Sequence, residues 1–358
     1  MNRRWVCNDL WMDIFPHFDH AELGLKMALL SPRFNVLVDK HFDGQSDLTI
    51  WRQIRIEKMR TKAKLNVEKS NGKSVHFPLP DQPMHNKIRF NDLWICYINH
   101  SVIEFLRANE QIFDKGIDLD FYAEEANEPI WDVFVRDIWP IFATNLRCLT
   151  VSDLDHLDNL RRHTSPTVLT DFNIISIHSG DLPHAIADDG PNATIGQALS
   201  KWLNTPTKDG KPKQLTCRVG TSETIEFINN FKEAFLRATI SSASYIIRLV
   251  LPFDESTPIE PFELKNERIS EMLTLAKEKY DESIDEEEDD DDDKQIYLVL
   301  KRWQIGKTIQ WEDAKLNKIT FELFESCIGP LSPQNAGQIN AKKRPKMNAG
   351  PSGQPKKK

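Results

Sequence analysis

Residues 146–162 read LRCLTVSDLDHLDNLRR, an apolar run that leads directly into a charged segment containing leucines. The run Leu146–Val151 has the length and composition of a buried strand, and the segment 153–162 has the length and spacing of a helix. Asp153 stands where a helix N-cap is expected. A strand that passes at once into a helix is the unit from which parallel sheets are built.

The same alternation of strand and helix continues on both sides of this unit. Further strand-like runs lie at 93–97, 117–121, 174–177, 215–219 and 246–250, and helical stretches lie at 101–113, 129–142, 194–203 and 224–240. Because each crossover helix must pack back onto its sheet, this alternation predicts an α/β fold with parallel strands.

Two architectures fit the alternation, an irregular solenoid of leucine-rich-repeat-like strand-helix units and a doubly wound sheet. Units of similar length stack naturally in sequence, and no glycine-rich phosphate turn follows any strand, which favours the solenoid. The leucine-rich consensus itself does not occur, so only the strand-helix alternation repeats. The tryptophans that fall in phase with the apolar positions are predicted to be core residues: Trp94, Trp131, Trp139 and Trp202.

The last third of the chain departs from this alternation. A strand pair is predicted at 258–264 and 269–275, and further strands at 296–300 and 319–324. Between them, eleven of the thirteen positions from Asp281 to Asp293 are acidic, which predicts a disordered loop because the charges repel one another. The predicted domains are a helical module at 1–45, a connector with one ribbon of strand at 46–87, an α/β body at 88–328 with an acidic disordered loop at 281–294, and a disordered basic tail at 329–358.

The first forty residues predict three short helices. Leu10, Ile14 and Phe18 recur every four residues in the first of them, and two further apolar sets follow, separated by Ser31-Pro32. About forty residues is near the lower limit for an independent fold, so we expect part of this apolar surface to face a partner or the rest of the chain. A helical cap whose apolar residues are all core fits the same periodicity.

In their order, these residues resemble the F-box, the motif through which substrate receptors dock on the Skp adaptor of cullin-RING ubiquitin ligases. The family pattern is L-P-x-E, an apolar helix ending in I-F-x-x-L, then D-x-x-D-L, a second apolar helix, and S-R-R-F-x-x-L-V. Cys7 replaces the proline of that pattern, and the middle helix is one residue longer. The matching positions are Val6, Asp9, Leu10, Ile14, Phe15, Phe18, Asp19, Ser31, Arg33, Phe34, Leu37 and Val38.

The body resembles a large family of F-box-like proteins through SVIEFL at 101–106, SPTVL at 165–169 and QALSKWLNTP at 197–206. The resemblance runs from residue 6 to residue 305. It implies a substrate-recognition subunit that binds a Skp-type adaptor, and through it a cullin, with the N-terminal helices, and a protein substrate with the α/β body. The residues it implies for adaptor binding are Val6, Leu10, Ile14, Phe15, Phe34 and Leu37. The alternative is an interaction scaffold whose F-box-like segment is degenerate.

Signatures of catalysis do not occur in the sequence. It contains no G-x-G-x-x-G, G-x-x-x-x-G-K-[ST], G-x-S-x-G, H-E-x-x-H or paired C-x-x-C motif, so we expect no enzyme activity and no cofactor. His156 and His163 lie seven residues apart, and we expect no metal site there. The substrate surface is expected at the carboxyl ends of the strands and the loops that follow, at 152–153, 178–181 and 218–222.

Composition excludes several further classes of protein. Of the 358 residues, 40% are hydrophobic and 28% are charged, and no apolar stretch is long enough for a signal peptide or a membrane span. The five scattered cysteines indicate reduced thiols, so we expect a cytoplasmic or nuclear protein. Although the net charge is −8, Lys and Arg are interleaved with acids, and no nucleic-acid binding by the folded body is predicted. Lys342, Lys343, Arg344 and Lys346 form a candidate nuclear import signal.

Overall fold

The computed structural model describes residues 6–18, 22–43, 50–60, 62–68, 74–84, 89–113, 116–122, 128–151, 154–251, 259–279, 296–311, 316–322 and 324–331. The helices are α1 (Asn8–Ile14), α2 (Pro32–Asp43), α3 (His100–Ala108), α4 (Glu128–Val133), α5 (Trp139–Phe142), α6 (Leu154–His163), α7 (Val168–Asp171), α8 (Ile195–Asn204) and α9 (Thr221–Arg237). The strands are β1 (Ile50–Met59), β2 (Lys62–Glu68), β3 (Ser74–Pro78), β4 (Arg89–Ile95), β5 (Ile117–Tyr122), β6 (Leu146–Val151), β7 (Ser176–Ser179), β8 (Lys213–Arg218), β9 (Tyr245–Leu251), β10 (Phe262–Asn266), β11 (Glu271–Lys279), β12 (Ile296–Gln304) and β13 (Asn317–Glu322).

The strands form one sheet in the order β10-β11-β12-β9-β8-β7-β6-β5-β13-β4-β1-β2-β3. Its central part, from β1 across to β9, is parallel. Antiparallel strands extend the sheet at both ends. The predicted α/β class with a parallel sheet is therefore confirmed, and β5 to β9 lie side by side in chain order.

The structure differs from the predicted chain organisation at residues 46–87. Residues 46–87 are more than a connector, because β1, β2 and β3 belong to the main sheet and β1 pairs in parallel with β4. The strands also do not follow chain order throughout, because β13 returns from the far end of the chain and lies between β4 and β5. Pairing with two strands of the body buries Ile319 and Phe321 and ties the last described strand into the centre of the sheet.

The body also extends past residue 329, where the sequence predicted that the tail begins. The Gly329 N–H donates to the Ile98 carbonyl at 2.7 Å, and the His100 N–H donates to the Pro330 carbonyl at 3.0 Å, so these residues pack on the body. The rest of the predicted tail, with the candidate nuclear signal Lys342, Lys343, Arg344 and Lys346, lies outside the described residues, as does the acidic run 281–294.

One face of the sheet is apolar and carries the main core. Successive side chains of a strand point to opposite faces, so Leu119 and Phe121 of β5, two residues apart, lie together on the apolar face. The Phe121 ring packs on Trp131 of α4 at 5.4 Å, on Phe134 at 4.5 Å and on Phe321 of β13 at 5.6 Å between ring centroids. Buried residues of α3, α4, α6, α8 and α9 belong to the same core, so these helices cover this face.

The other face of the sheet is polar, and the strand pairing aligns its side chains into two neighbouring rows. The first row is Gln53, Asp92, Lys318, Asp118, Cys148, Ser176 and Gln214. The second row is Arg55, Trp94, Thr320, Asp120, Thr150, His178, Thr216 and Arg248. Trp131, Trp139 and Trp202 are buried as predicted, whereas Trp94 is half-buried and lies on this polar face.

The N-terminal module has a small core of its own. This core consists of Phe15, Leu23, Ala28, Leu37, Val38 and Phe42. Leu25 instead belongs to the core of the body, and the Lys26 ammonium lies 4.8 Å from the centre of the Phe77 ring of β3. The module is therefore a separately packed unit that contacts the body through the segment between α1 and α2.

Candidate functional sites

The first candidate site is an apolar stripe at the amino end of the module, formed by Val6, Leu10 and Ile14. Leu10 and Ile14 lie four residues apart in α1 and therefore share one side of the helix, and Val6 lies just before the helix begins. The side chains of Val6, Leu10 and Ile14 are 39%, 52% and 37% exposed, values that are unusual for three large apolar side chains so close in sequence.

Arg33 of α2 fixes the amino end of this stripe. Its guanidinium donates to the Asn8 side-chain oxygen at 2.7 and 3.0 Å and to the Val6 carbonyl at 2.6 Å. Trp11 packs edge-on against Phe34 with 4.9 Å between ring centroids, which also joins α1 to α2. The stripe is thus held by contacts that leave its own side chains exposed.

The six residues that sequence reasoning assigned to adaptor binding occupy different environments. Val6, Leu10 and Ile14 are exposed, Phe34 is half-buried, and Phe15 and Leu37 are buried in the module's own core. Leu30 and Val36, which that reasoning did not select, are 64% and 55% exposed. They were missed because an apolar side chain in phase with a helical core gives the same sequence signal whether or not it is covered.

Both departures from the F-box pattern have a local structural counterpart. Cys7 has φ −68° and ψ 160°, and −68° is within the range that a proline ring imposes. The longer middle helix contains a π-helical turn at Leu23–Met27, followed by a tight turn at Ala28–Leu30. A π turn holds one more residue per turn than an α-helix, so it accommodates the additional residue.

The second candidate site is the polar face of the parallel strands, where three acids surround one lysine. Lys318 forms an ion pair with Asp120 at 3.1 Å, and Asp92 and Asp118 lie beside Lys318 on the adjacent strands. Burial raises the pKa of Asp92 and of Asp120, although Lys318 opposes this rise. Burial acts to lower the pKa of Lys318, but the nearby carboxylates, Asp120 foremost, raise it overall, so the lysine is held charged.

Several buried oxygens on this face have no hydrogen-bond partner in the described part of the chain. They are Asp92 Oδ1, Asp118 Oδ1, Asp120 Oδ1, Thr216 Oγ1 and Thr320 Oγ1. Buried polar atoms are normally paired, and unpaired ones cost free energy. Their concentration on one face indicates a surface suited to binding another polar group.

Next to these acids is a cavity of about 410 Å³, which we call the trough, within the size range of small-ligand sites. Its floor is formed by Cys148, Ser176, His178 and Gln214, with Asp118 at one end and Arg248 at the other. The Arg248 guanidinium lies 3.9 Å from the centre of the Trp311 ring, which also lines the trough.

Burial shifts the pKa of two groups that line the trough. It lowers the pKa of His178, so the imidazole is neutral at pH 7, and it raises the pKa of the Cys148 thiol, which keeps the thiol protonated. Among the described residues, no group of three or more His, Cys, Asp or Glu side chains is placed to hold a metal ion.

The substrate surface expected at 152–153, 178–181 and 218–222 shares only His178 with the described lining of the trough. His178 lies in the trough, but the other lining residues sit on the strand face and on the loops that enter β7, β8 and β13 rather than at the strands' carboxyl ends. Residues 152–153 lie outside the described chain. A sequence signal for this polar face was available. Charged residues occur among the apolar residues of a strand, as Asp118 does in β5 and Arg248 does in β9.

Comparison of the chain with family models, with curated proteins and with solved structures gives no match. Within the described ranges, no helix has the length and apolar character needed to cross a membrane.

Proposed function

We propose that this protein is the substrate-recognition subunit of a cullin-RING ubiquitin ligase, and that its N-terminal module binds a Skp-type adaptor. The observation that carries the proposal is the exposed stripe of Val6, Leu10 and Ile14 on a module that has its own core. An apolar surface of this kind is stabilised when a partner covers it. The stripe falls on the segment whose residue order resembles the F-box.

The backbone of the module is compatible with this role. Cys7 adopts a φ that proline would also adopt, and the π turn at Leu23–Met27 accommodates the additional residue of the middle helix. The two departures from the family pattern therefore leave the helical framework intact. Of the proposed docking residues, Val6, Leu10 and Ile14 would contact the adaptor directly, whereas Phe15 and Leu37 would support the helices from within.

The body would present the substrate. In this proposal it is an irregular solenoid, in which β5 to β9 stack in chain order with their helices on one face. That arrangement leaves the polar face of the same strands for a protein substrate. The chain itself would carry out no chemistry and would use no cofactor, because ubiquitin transfer would be performed by other subunits.

The test is binding of purified full-length chain to a Skp-type adaptor, measured by isothermal titration for the wild type and for the double variant Leu10→Asp/Ile14→Asp. Each apolar side chain contributes about 1.5 to 3 kcal/mol when fully buried at an interface, so the double variant should lose at least about a hundredfold in affinity. The matched control is Leu236→Asp/Ile240→Asp, which places the same charges at two exposed apolar positions of the body. This control should bind as the wild type does.

Equal adaptor binding by wild type and a folded Leu10→Asp/Ile14→Asp variant would contradict the proposal. The alternative, a scaffold with a degenerate F-box-like segment, is favoured by the burial of Phe15 and Leu37, which leaves a smaller docking surface. It predicts that the wild-type chain itself shows no measurable affinity for the adaptor.

A further inference from the structure

The trough has opposite charges at its two ends. At the acidic end, Asp118 lies beside Lys318 on the adjacent strand, but the ion pair of Lys318 is with Asp120 at 3.1 Å, and Asp118 forms no ion pair of its own among the described residues. At the basic end, Arg248 contacts the rings of Trp311 and Tyr297, at 3.9 and 5.5 Å, and forms no ion pair with a described carboxylate. Neither end is therefore closed by a direct ion pair within the described part of the protein.

Buried, unsatisfied atoms accompany the acidic end. Asp120 is 1% exposed and Thr320 is fully buried, and each has one side-chain oxygen without a partner in the described chain. Both residues lie in the row next to Asp118, on the same face of the sheet. A buried carboxylate that lacks a full set of partners is destabilising. Of these acids it is Asp118 that lines the trough, and its Oδ1 also has no partner in the described chain, so a cation brought by a ligand would pair with Asp118.

The two ends are separated by four strand spacings, because Asp118 lies on β5 and Arg248 on β9. At about 4.8 Å per strand this is about 19 Å. An extended peptide advances about 3.3 Å per residue, so about six residues would bridge the two ends. Between them, Ser176, His178 and Gln214 offer hydrogen-bonding groups of the kind that pair with a peptide backbone.

We infer that the trough binds an extended protein segment that carries a Lys or Arg at the Asp118 end and an Asp or Glu at the Arg248 end. This inference rests on the proposed function and specifies the class of substrate that the body recognises. A phosphate or other simple anion fits less well, since it could pair with the cations that line the trough, Arg147, Lys211 and Arg248, but would leave Asp118 without a cation from the ligand. The stacked guanidinium of Arg248 is held in place for a planar carboxylate, which it can bind through two parallel hydrogen bonds.

The experiment uses the full-length chain, immobilised, against a displayed library of random twelve-residue peptides. We expect the enriched peptides to pair a basic with an acidic residue at a separation of about six positions. Affinity of the best peptide should fall about tenfold or more with Asp118→Asn and with Arg248→Gln. Replacing the peptide's basic residue by Gln should then have little further effect in Asp118→Asn, and replacing its acidic residue should have little further effect in Arg248→Gln.

The matched controls are Glu278→Gln and Lys301→Gln. These residues form an exposed ion pair at 3.6 Å on the antiparallel strands β11 and β12, away from the trough. Both controls should bind the selected peptides as the wild type does. Thermal unfolding is measured for every variant, and Arg248→Lys, which keeps the charge but loses the planar stack, replaces Arg248→Gln if that variant does not fold.

Peptides without paired charges, or affinities unchanged in both Asp118→Asn and Arg248→Gln, would overturn the inference. So would failure to enrich any peptide by a chain that still binds the adaptor, and in that case the proposed function would stand. Conversely, enrichment of paired-charge peptides by a chain with no adaptor affinity would retain the trough as a peptide site and overturn the ligase role.

Discussion

The N-terminal module and the body bury their apolar residues to different extents. The body packs helices on the apolar face of its sheet and carries polar side chains on the other face. The module buries a core of six residues and leaves Val6, Leu10 and Ile14 uncovered. Small units have too little volume to cover all of their apolar surface. The comparison shows that the module is left with uncovered apolar side chains, whereas the body is left with buried polar groups on one face of its sheet.

The largest effect is expected from a core substitution in the body. Phe121 is 1% exposed and stacks on Trp131, so Phe121→Ala should lower the free energy of unfolding by about 3 to 5 kcal/mol. The neighbouring Tyr122 is 43% exposed, and Tyr122→Ala should change the free energy of unfolding by no more than about 1 kcal/mol. Urea denaturation of both variants measures the difference. Similar losses would show that the two faces of β5 do not differ in packing.

A smaller effect is expected at a buried amine of the body. Lys213 is 4% exposed, its ammonium donates to the Trp202 carbonyl in the last turn of α8, and burial lowers its pKa from 10.5 to about 7. Between these two values the unfolded chain holds a proton that the folded amine has released. The free energy of unfolding should therefore rise from pH 7 to pH 10.5, by a few kcal/mol.

Lys213→Met should remove this rise and be the more stable form at pH 7, since the Trp202 carbonyl retains the Thr205 N–H at 3.1 Å. Chemical denaturation across this pH range measures both quantities. The exposed Lys277→Met serves as control and should keep the pH dependence of the wild type. A pH-independent wild type would mean that Lys213 stays charged in the folded protein.

The smallest effect is expected in the module, at the position where the F-box pattern has proline. Because Cys7 already has a proline-like φ, Cys7→Pro should leave the free energy of unfolding unchanged or raise it by about 0.4 to 1 kcal/mol. Adaptor affinity should be retained. Trp11→Pro should instead lower the free energy of unfolding. Proline has no N–H, so this variant loses the hydrogen bond that the Trp11 N–H donates to the Cys7 carbonyl at 3.4 Å inside α1.

Thermal unfolding and adaptor titration of the two proline variants check this prediction. A Cys7→Pro variant that unfolds as readily as Trp11→Pro would show that the start of α1 differs from the geometry described above.

Much of the fold could be predicted from local sequence. The runs around Leu149 and Ile247 are strands, and α8 begins where Thr194 and Gln197 form a capping box. These features depend on neighbouring residues and their spacing, which the sequence displays directly. The involvement of β1 to β3 in the sheet was missed because pairing between distant strands leaves no signal in either strand alone.

The candidate sites were less predictable for the same reason. Helical periodicity selected Leu10 and Phe15 alike, and only packing placed Leu10 at the surface and Phe15 in the core. Trp94 was assigned to the core because its strand is apolar, yet its ring lies on the polar face and donates to Asp92 at 2.7 Å. A strand's sequence shows that its side chains alternate, but not which face is covered.

By itself, the sequence determined that this chain alternates strands and helices behind an amphipathic N-terminal module, because spacing and capping are local properties. Only the tertiary structure brought Lys318 between Asp92 and Asp118, residues from three separate regions of the chain. It also opposed Asp118 to Arg248 across the trough. The physical reason is that strand order and register are set by which distant segments bury their apolar faces together, and this burial fixes which polar side chains meet on the other side.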